Sequence, residues 1–191
     1  MKGADVLIAM STPGPGIVPK GIISTMADDS IIFACANPIP EVWPWEAKEA
    51  GAKIVATGRS DFPNQVNNSL GFPGIFRGTL DVRAKAISDE MCIAAANELA
   101  KIAEEKGIDE ERILPSMSDW EVFPRAAAAV GAEAVRQGLA RVKATRRELY
   151  EKAKTIIGHA RKSTELLMRK GLIKPLPHSS AGRRTRRKIA K

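Results

Sequence analysis

Three short apolar runs, each ended by turn-forming residues, organise the first third of the chain. They are Ala4-Asp5-Val6-Leu7-Ile8-Ala9-Met10, Ser30-Ile31-Ile32-Phe33-Ala34-Cys35-Ala36 and Lys53-Ile54-Val55-Ala56-Thr57. Near-continuous apolar runs, rather than alternating ones, predict strands buried on both faces, as in a parallel sheet. Ser11-Thr12-Pro13-Gly14-Pro15-Gly16, Asn37-Pro38-Ile39-Pro40 and Gly58 stop the three runs in turn. Short helical stretches are predicted between them, near residues 19–26 and 44–50, the second with Pro44 at its first position, where no backbone N–H is needed. Strand, helix, strand, helix, strand reads as right-handed crossovers in an α/β, doubly wound parallel sheet.

Beyond Thr57 the pattern turns helical. One helix is expected within residues 68–84 and another over 89–106, where Met91, Ala95, Leu99 and Ile102 form a one-sided apolar stripe that Gly107 ends. A third should begin with Pro124 at its first position and run to about Arg141. An earlier start on the capping-box pair Ser118 and Glu121 would put that proline inside the helix. Residues 145–170 read as a long charged helix with Leu149, Ala153, Ile156, Ala160 and Leu167 along one side. Pro175 and Pro177 break it.

Charge changes how the end of the chain is read. Residues 1–141 carry 14 Lys and Arg against 19 Asp and Glu, whereas residues 142–191 carry 16 against 3, so the +8 total is a property of the tail. The expected organisation is a main domain at 1–141, a charged helix at 142–174 and a basic disordered tail at 175–191. The tail lacks aromatic interleaving, which ranks nucleic-acid binding last. The longest apolar runs are too short for a membrane span. With no apolar leader after Met1-Lys2-Gly3, a cytoplasmic protein is expected. Cys35 and Cys92 lie inside apolar segments without metal or disulfide spacing and read as buried free thiols.

Ligands of open parallel sheets bind beyond the carboxyl ends of the strands. There the sequence places Ser11, Thr12, Pro13 and Gly14 after the first strand, Asn37 after the second, and Asn64, Gln65, Asn67 and Asn68 after the third. Amides offer donor and acceptor without charge, which suits a site holding a carboxamide beside a hydroxy acid. Singly, each such residue is an ordinary turn former; together, at the ends of successive strands, they mark a candidate site. Arg59, Arg77 and Arg83 are expected to pair with the nearby Asp61 and Asp81 rather than with a ligand. His159 and His178 have no apparent partner residues, so neither is assigned a catalytic role. Gly14-Pro15-Gly16 is not a phosphate loop. The third glycine, Gly21, is misplaced, and Pro13, Pro15 and Pro19 remove amide donors.

Taken in order, Ser11 to Gly16, Ala36-Asn37-Pro38-Ile39-Pro40-Glu41, Ala56-Thr57-Gly58-Arg59-Ser60-Asp61, Asn67-Asn68 and Phe72-Pro73-Gly74-Ile75-Phe76-Arg77-Gly78 resemble one family. It is the nicotinamide-nucleotide-binding region of the small bacterial and archaeal malic enzymes, and the resemblance runs from about Ala4 to Arg141. It implies the downstream half of a Rossmann-type sheet followed by C-terminal helices, and oxidative decarboxylation of malate to pyruvate with NAD or NADP. By the same resemblance Ser11, Thr12, Pro13 and Gly14 line the cofactor. Asn37 lies by nicotinamide and substrate, Asn67 by the nicotinamide ribose or carboxamide, and Asn68 on the malate carboxylate. No catalytic residue and no metal ligand is assigned here. The catalytic Tyr and Lys, the acidic ligands of a Mg or Mn ion and the glycine fingerprint belong to an upstream half of the family's sequence, and Tyr150 does not match the catalytic position. The first strand would then be an open, apolar edge. Another chain supplying the upstream half, or self-association into a homo-oligomer, is expected to cover it. The alternative is a non-catalytic nucleotide-binding or interaction module.

Overall fold

The computed structural model describes residues 1–174. The chain divides into two units, Met1–Lys154 and Thr155–Lys191. The first holds the sheet. Strands β1 (Val6–Ala9), β2 (Ile31–Ala34) and β3 (Ile54–Thr57) are parallel in the order β1-β2-β3. Helix α1 (Lys20–Ile23) and helix α2 (Pro44–Glu49) connect them. The expected succession of strands and helices is therefore present, although α1 is a single short turn of helix.

Register explains which face is core. Leu7, Ile32 and Val55 align across the sheet. With Ile23 and Met26 on the α1 side, and Ala47 of α2, they form one apolar cluster in which Ile32 and Ala47 are fully buried. Burying one such aliphatic side chain contributes about 1.5 to 3 kcal/mol. The neighbouring residues point the other way because successive side chains of a strand alternate. Val6 and Ile8 are accordingly exposed at 47% and 60%, on the edge strand. Their exposure leaves the outer side of β1 without a protein partner among the described residues.

After β3 a 3₁₀ turn (Asn68–Leu70) precedes α3 (Phe72–Asp81), followed by α4 (Asp89–Glu105) and α5 (Val122–Arg136). The single helix expected within 68–84 is thus broken. Pro73 has no N–H to give an upstream carbonyl, so it fits only the first turn of a new helix. Helix α5 begins at Val122 instead of Pro124. The proline sits within its first turn, where amide donors have no intrahelical partner anyway. It also ends at Arg136 and not near Arg141, because Gly138 takes a φ of +70° and the amides of Gly138 and Leu139 turn back on Val135 and Ala134.

Helices α3, α4 and α5 pack on one another around Met91, Val82, Val130 and Ala134. On α4 the buried stripe is Met91, Ala95, Glu98 and Ile102, with Leu99 only half-buried. Glu98 takes the inward position because Arg125 and Arg146 meet its carboxylate, at 2.7 and 2.5 Å. Cys92, one residue after the inward-facing Met91, is exposed, and Cys35 is half-buried, so neither is the buried thiol expected.

Helix α6 (Arg146–Arg169) starts at a capping box in which Thr145 and Glu148 exchange bonds between side chain and backbone. Its first turns belong to the first unit, where Leu149 and Ala153 are buried. In the second unit Ile156 and Leu167 of the expected stripe are 40% and 38% exposed. Among the described residues no helix is long and apolar enough to cross a membrane. The expectation of a disordered tail at 175–191 falls outside the described residues.

Candidate functional site

Because Ala9, Ala34 and Thr57 stand side by side in the register, the chain leaves all three strands at the same edge of the sheet. A path of hydrogen bonds, linked from one to the next through the backbone, then ties the three loops together. It begins at Glu41, which is fully buried. One oxygen of its carboxylate accepts from the Ser11 amide at 2.8 Å and the Ser11 hydroxyl at 3.1 Å, and the other accepts from the Ala36 amide at 3.0 Å. The Glu41 carbonyl accepts from the amides of Gly16 and Val18 as well, at 3.1 and 3.2 Å. The loop after β1 is therefore held against the end of β2 by one residue. Its amides at 11, 16 and 18 are already spent, which agrees with the reading that this is not a phosphate cradle.

The path continues through Arg59. Its Nη1 donates to the Pro38 carbonyl at 3.0 Å, and its other guanidinium nitrogens form a two-pronged pair with Asp61 at 2.8 and 2.7 Å. The guanidinium also lies over Trp43 and Phe62, 5.8 and 5.6 Å from the ring centroids. The Arg59 hydrogen bonds hold the Asp61 carboxyl below its usual range. Arg77 pairs with Asp81 in the same manner, at 2.9 and 2.6 Å. The expected pairings of Arg59 and Arg77 are present, whereas Arg83 makes no ion pair among the described residues and Lys152 is the second cation on Asp81.

Asn67 closes the path. Its Nδ2 donates to the Gly58 carbonyl at 3.0 Å, while its Oδ1 accepts from the Ser69 amide and hydroxyl at 2.9 and 2.7 Å. That amide is committed to the loop as the cap of the 3₁₀ turn. Asn64 is committed too. In a left-handed backbone conformation (φ 55°) it donates to Val55 and Glu110 carbonyls and accepts from the Ile113 amide, stitching β3 to the segment after α4.

Besides the half-buried Gln65, two amides remain available. Asn37 and Asn68 are exposed, and neither side chain makes a hydrogen bond among the described residues. Asn68 is not the cap of the helix that follows, a role taken by Asn67 for the turn and by no side chain for α3. Ser11, Thr12 and Pro13 are exposed and Gly14 is half-exposed. The structure thus brings Ser11, Asn37, Asn67 and Asn68 onto one bonded set of loops. Sequence reasoning missed Glu41 as the residue that joins them. Its position inside Pro-Ile-Pro-Glu, an acidic residue among turn formers at a strand end, was the available signal.

Free amides and hydroxyls on exposed loops fit a nicotinamide carboxamide and a hydroxy acid. A divalent ion is not fitted. Among the described residues no three His, Cys, Asp or Glu side chains gather, Glu41 is saturated by N–H and O–H donors, and Asp61 is tied to Arg59. Tyr150 donates to Glu121 at 2.8 Å and receives Lys154 at 3.2 Å, in the helical part. A cavity of about 310 Å³ is lined by Asn64, Gln65, Phe62, Arg112 and Met117. Its lining includes Asn64 and Gln65 of the amide cluster but none of the seven residues that the resemblance assigns to cofactor or substrate.

Comparison with known proteins identifies the family of this fold. Residues 2–137 match the family described as malic enzyme, NAD binding domain. The bifunctional malic/malolactic enzyme of Bacillus subtilis is 49% identical over 157 residues, covering 81% of this chain and 38% of that protein. The NAD-dependent malic enzyme of Geobacillus stearothermophilus is 49% identical over 139 residues, covering 73% of this chain and 28% of that one. Among solved structures, the malic enzyme of Entamoeba histolytica superposes with a TM-score of 0.89 at 52% identity, covering 92% of this chain and 36% of that one. The chain spans less than two fifths of the length of these relatives. From its parallel strands to its bonded strand-end loops, the chain belongs to the malic enzyme family, as part of that family's NAD-binding domain.

Proposed function

We propose that this chain forms the downstream part of the nucleotide and malate site of a malic enzyme and works with an upstream half. The reaction is the oxidative decarboxylation of malate to pyruvate and CO2. The observation that carries this reading is the bonded path from Ser11 through Glu41, Arg59 and Asn67, which leaves Asn37 and Asn68 facing solvent with free amides. Ser11, Thr12, Pro13 and Gly14 line the cofactor, NAD or NADP. Asn37 meets nicotinamide and substrate, and Asn68 meets the malate carboxylate. With its amide held by Gly58 and Ser69, Asn67 serves the nicotinamide ribose or carboxamide by setting the loop beside it.

A bound NAD or NADP would supply the hydride acceptor for malate, and Ser11, Thr12, Pro13, Gly14 and Asn37 would hold it. This chain's residues bind and orient. Among the described residues no acid or base stands free at the strand ends, and in this reading the hydroxyl proton and the loss of CO2 are handled by groups on the upstream half, where a Mg or Mn ion would also be held. The choice between NAD and NADP belongs there too, because the residue that reads the ribose 2′ position ends a strand of that half. The exposed Val6 and Ile8 on the edge strand β1, with Met10 just beyond it, support a surface that the other half, or a second copy in a homo-oligomer, covers. In this reading residues 1–141 are the partial nucleotide domain, 142–174 an appended helix and 175–191 a basic tail.

The test is malate-dependent reduction of NAD and NADP by the chain with and without a chain supplying the upstream half. Turnover is expected only in the mixture. Turnover by the pure chain alone, or none in a mixture shown to associate, sinks the proposal.

A further inference from the structure

Glu41 carries a charge where charge is costly. It is fully buried, and no Lys or Arg pairs with it among the described residues. Burial alone would favour the neutral acid. Against that stand three hydrogen bonds, from the Ser11 amide and hydroxyl and from the Ala36 amide, and the balance holds the carboxyl below its ordinary range. Bonds to an ionised acceptor are about twice as strong as neutral ones. Every donor on the carboxylate comes from a segment that enters the candidate site: Ser11 opens the loop after β1, and Ala36 precedes Asn37. A residue needed only to fill the core at this point would be apolar.

We infer that Glu41 is a positioning residue: its buried carboxylate fixes the Ser11 to Gly14 loop relative to Asn37 and so sets the shape of the nucleotide site without touching the nucleotide. The inference rests on the site proposed above. Glutamine at this position is the informative change. Its Oε1 can satisfy one side, but its Nε2 is a donor and would face a second donor, so one of the two segments must let go. Loss of a charge-assisted bond of this kind corresponds to roughly tenfold in an equilibrium constant.

The experiment compares Glu41→Gln with the unaltered chain, each assembled with the upstream half, in malate oxidation and in NADH binding read by energy transfer from tryptophan. The expected result is a dinucleotide KM raised about tenfold, with kcat changed less than threefold. Kinetic constants within twofold of the unaltered protein overturn the inference, whatever happens to the melting temperature. Should Glu41→Gln fail to fold, Glu41→Asp keeps the charge but draws the carboxylate back by one methylene from Ser11 and Ala36. It should raise the dinucleotide KM about threefold, and an unchanged value overturns the inference. Absence of malate oxidation in the unaltered assembly would refute the proposed reaction while leaving the clamp readable in NADH binding. Equal binding by both proteins, or none by either, then overturns it.

Discussion

Gly78 of α3 and Gly131 of α5 meet backbone to backbone: a Cβ on Gly131 would stand 3.3 Å from the Gly78 carbonyl oxygen, and one on Gly78 would stand 3.0 Å from the Gly131 amide nitrogen. The two helices approach this closely because neither residue has a side chain. Gly78→Ala is expected to lower stability by about 1 to 3 kcal/mol, since the new methyl also strikes Val130 Cβ at 2.8 Å and nothing nearby can retreat without moving α5. Gly158→Ala, in open space on α6, should leave stability unchanged or raise it, because alanine is the better helix former. Denaturant midpoints of the two variants decide the matter. Equal midpoints would mean that α3 and α5 are not packed as described.

Asn67 and Asn68 should part company when each is replaced by alanine. Asn67→Ala removes the cap of the 3₁₀ turn and the bond to Gly58, at a cost of about 1 kcal/mol in stability. Asn68→Ala removes no bond within the protein and should leave stability within about 0.5 kcal/mol. In the complete enzyme it should lower kcat/KM for malate by about tenfold or more. Melting curves and kinetics on both variants test this, and a destabilised Asn68→Ala with normal kinetics would end its assignment to substrate.

Glu98 is a buried acid shared by two arginines, with its side chain only 6% exposed. Glu98→Ala is expected to cost about 1 to 3 kcal/mol, because it removes a buried carboxylate that Arg125 and Arg146 both meet, although Arg125 keeps Glu105 and Arg146 is 55% exposed. Glu133→Ala, whose partner Arg136 is 69% exposed, should shift the unfolding midpoint less. Raised salt should shrink the effect of Glu133 and leave that of Glu98 largely intact. A salt-sensitive Glu98 would show that the site is wetter than its burial indicates.

Glu41 gives the fold an acid limit. Its folded carboxyl lies below the ordinary value of 4.5: burial pushes it up, and the bonds from Ser11 and Ala36 pull it down further. A depressed carboxyl contributes stability above its unfolded value and loses it as pH falls through the folded value. The stability difference between the unaltered chain and Glu41→Gln should therefore be constant above about pH 6 and shrink as pH falls below 4.5. Urea titrations across that range test it. A difference that grows toward acid would mean that Glu41 is protonated in the folded chain.

The three strands, their order of appearance and the helices on either side of Gly107 were legible in the sequence, because apolar runs, prolines and glycines act on their own neighbours. The loop residues of the site were legible for the same reason, as turn formers clustered at strand ends and as a family pattern. Which of those amides is free was not. Asn64, Asn67 and Asn68 are chemically alike, and only the positions of Val55, Gly58, Ser69 and Glu110 leave Asn68 alone without a bond. The inward turn of Glu98 in place of Leu99 was decided by arginines 27 and 48 residues away. Glu41 follows the same logic: its partner Ser11 lies 30 residues upstream. Local sequence determines where the backbone can bend and which faces are apolar. The pairing of polar groups distant in the chain is settled only when packing excludes water and each buried donor or acceptor must find a protein partner.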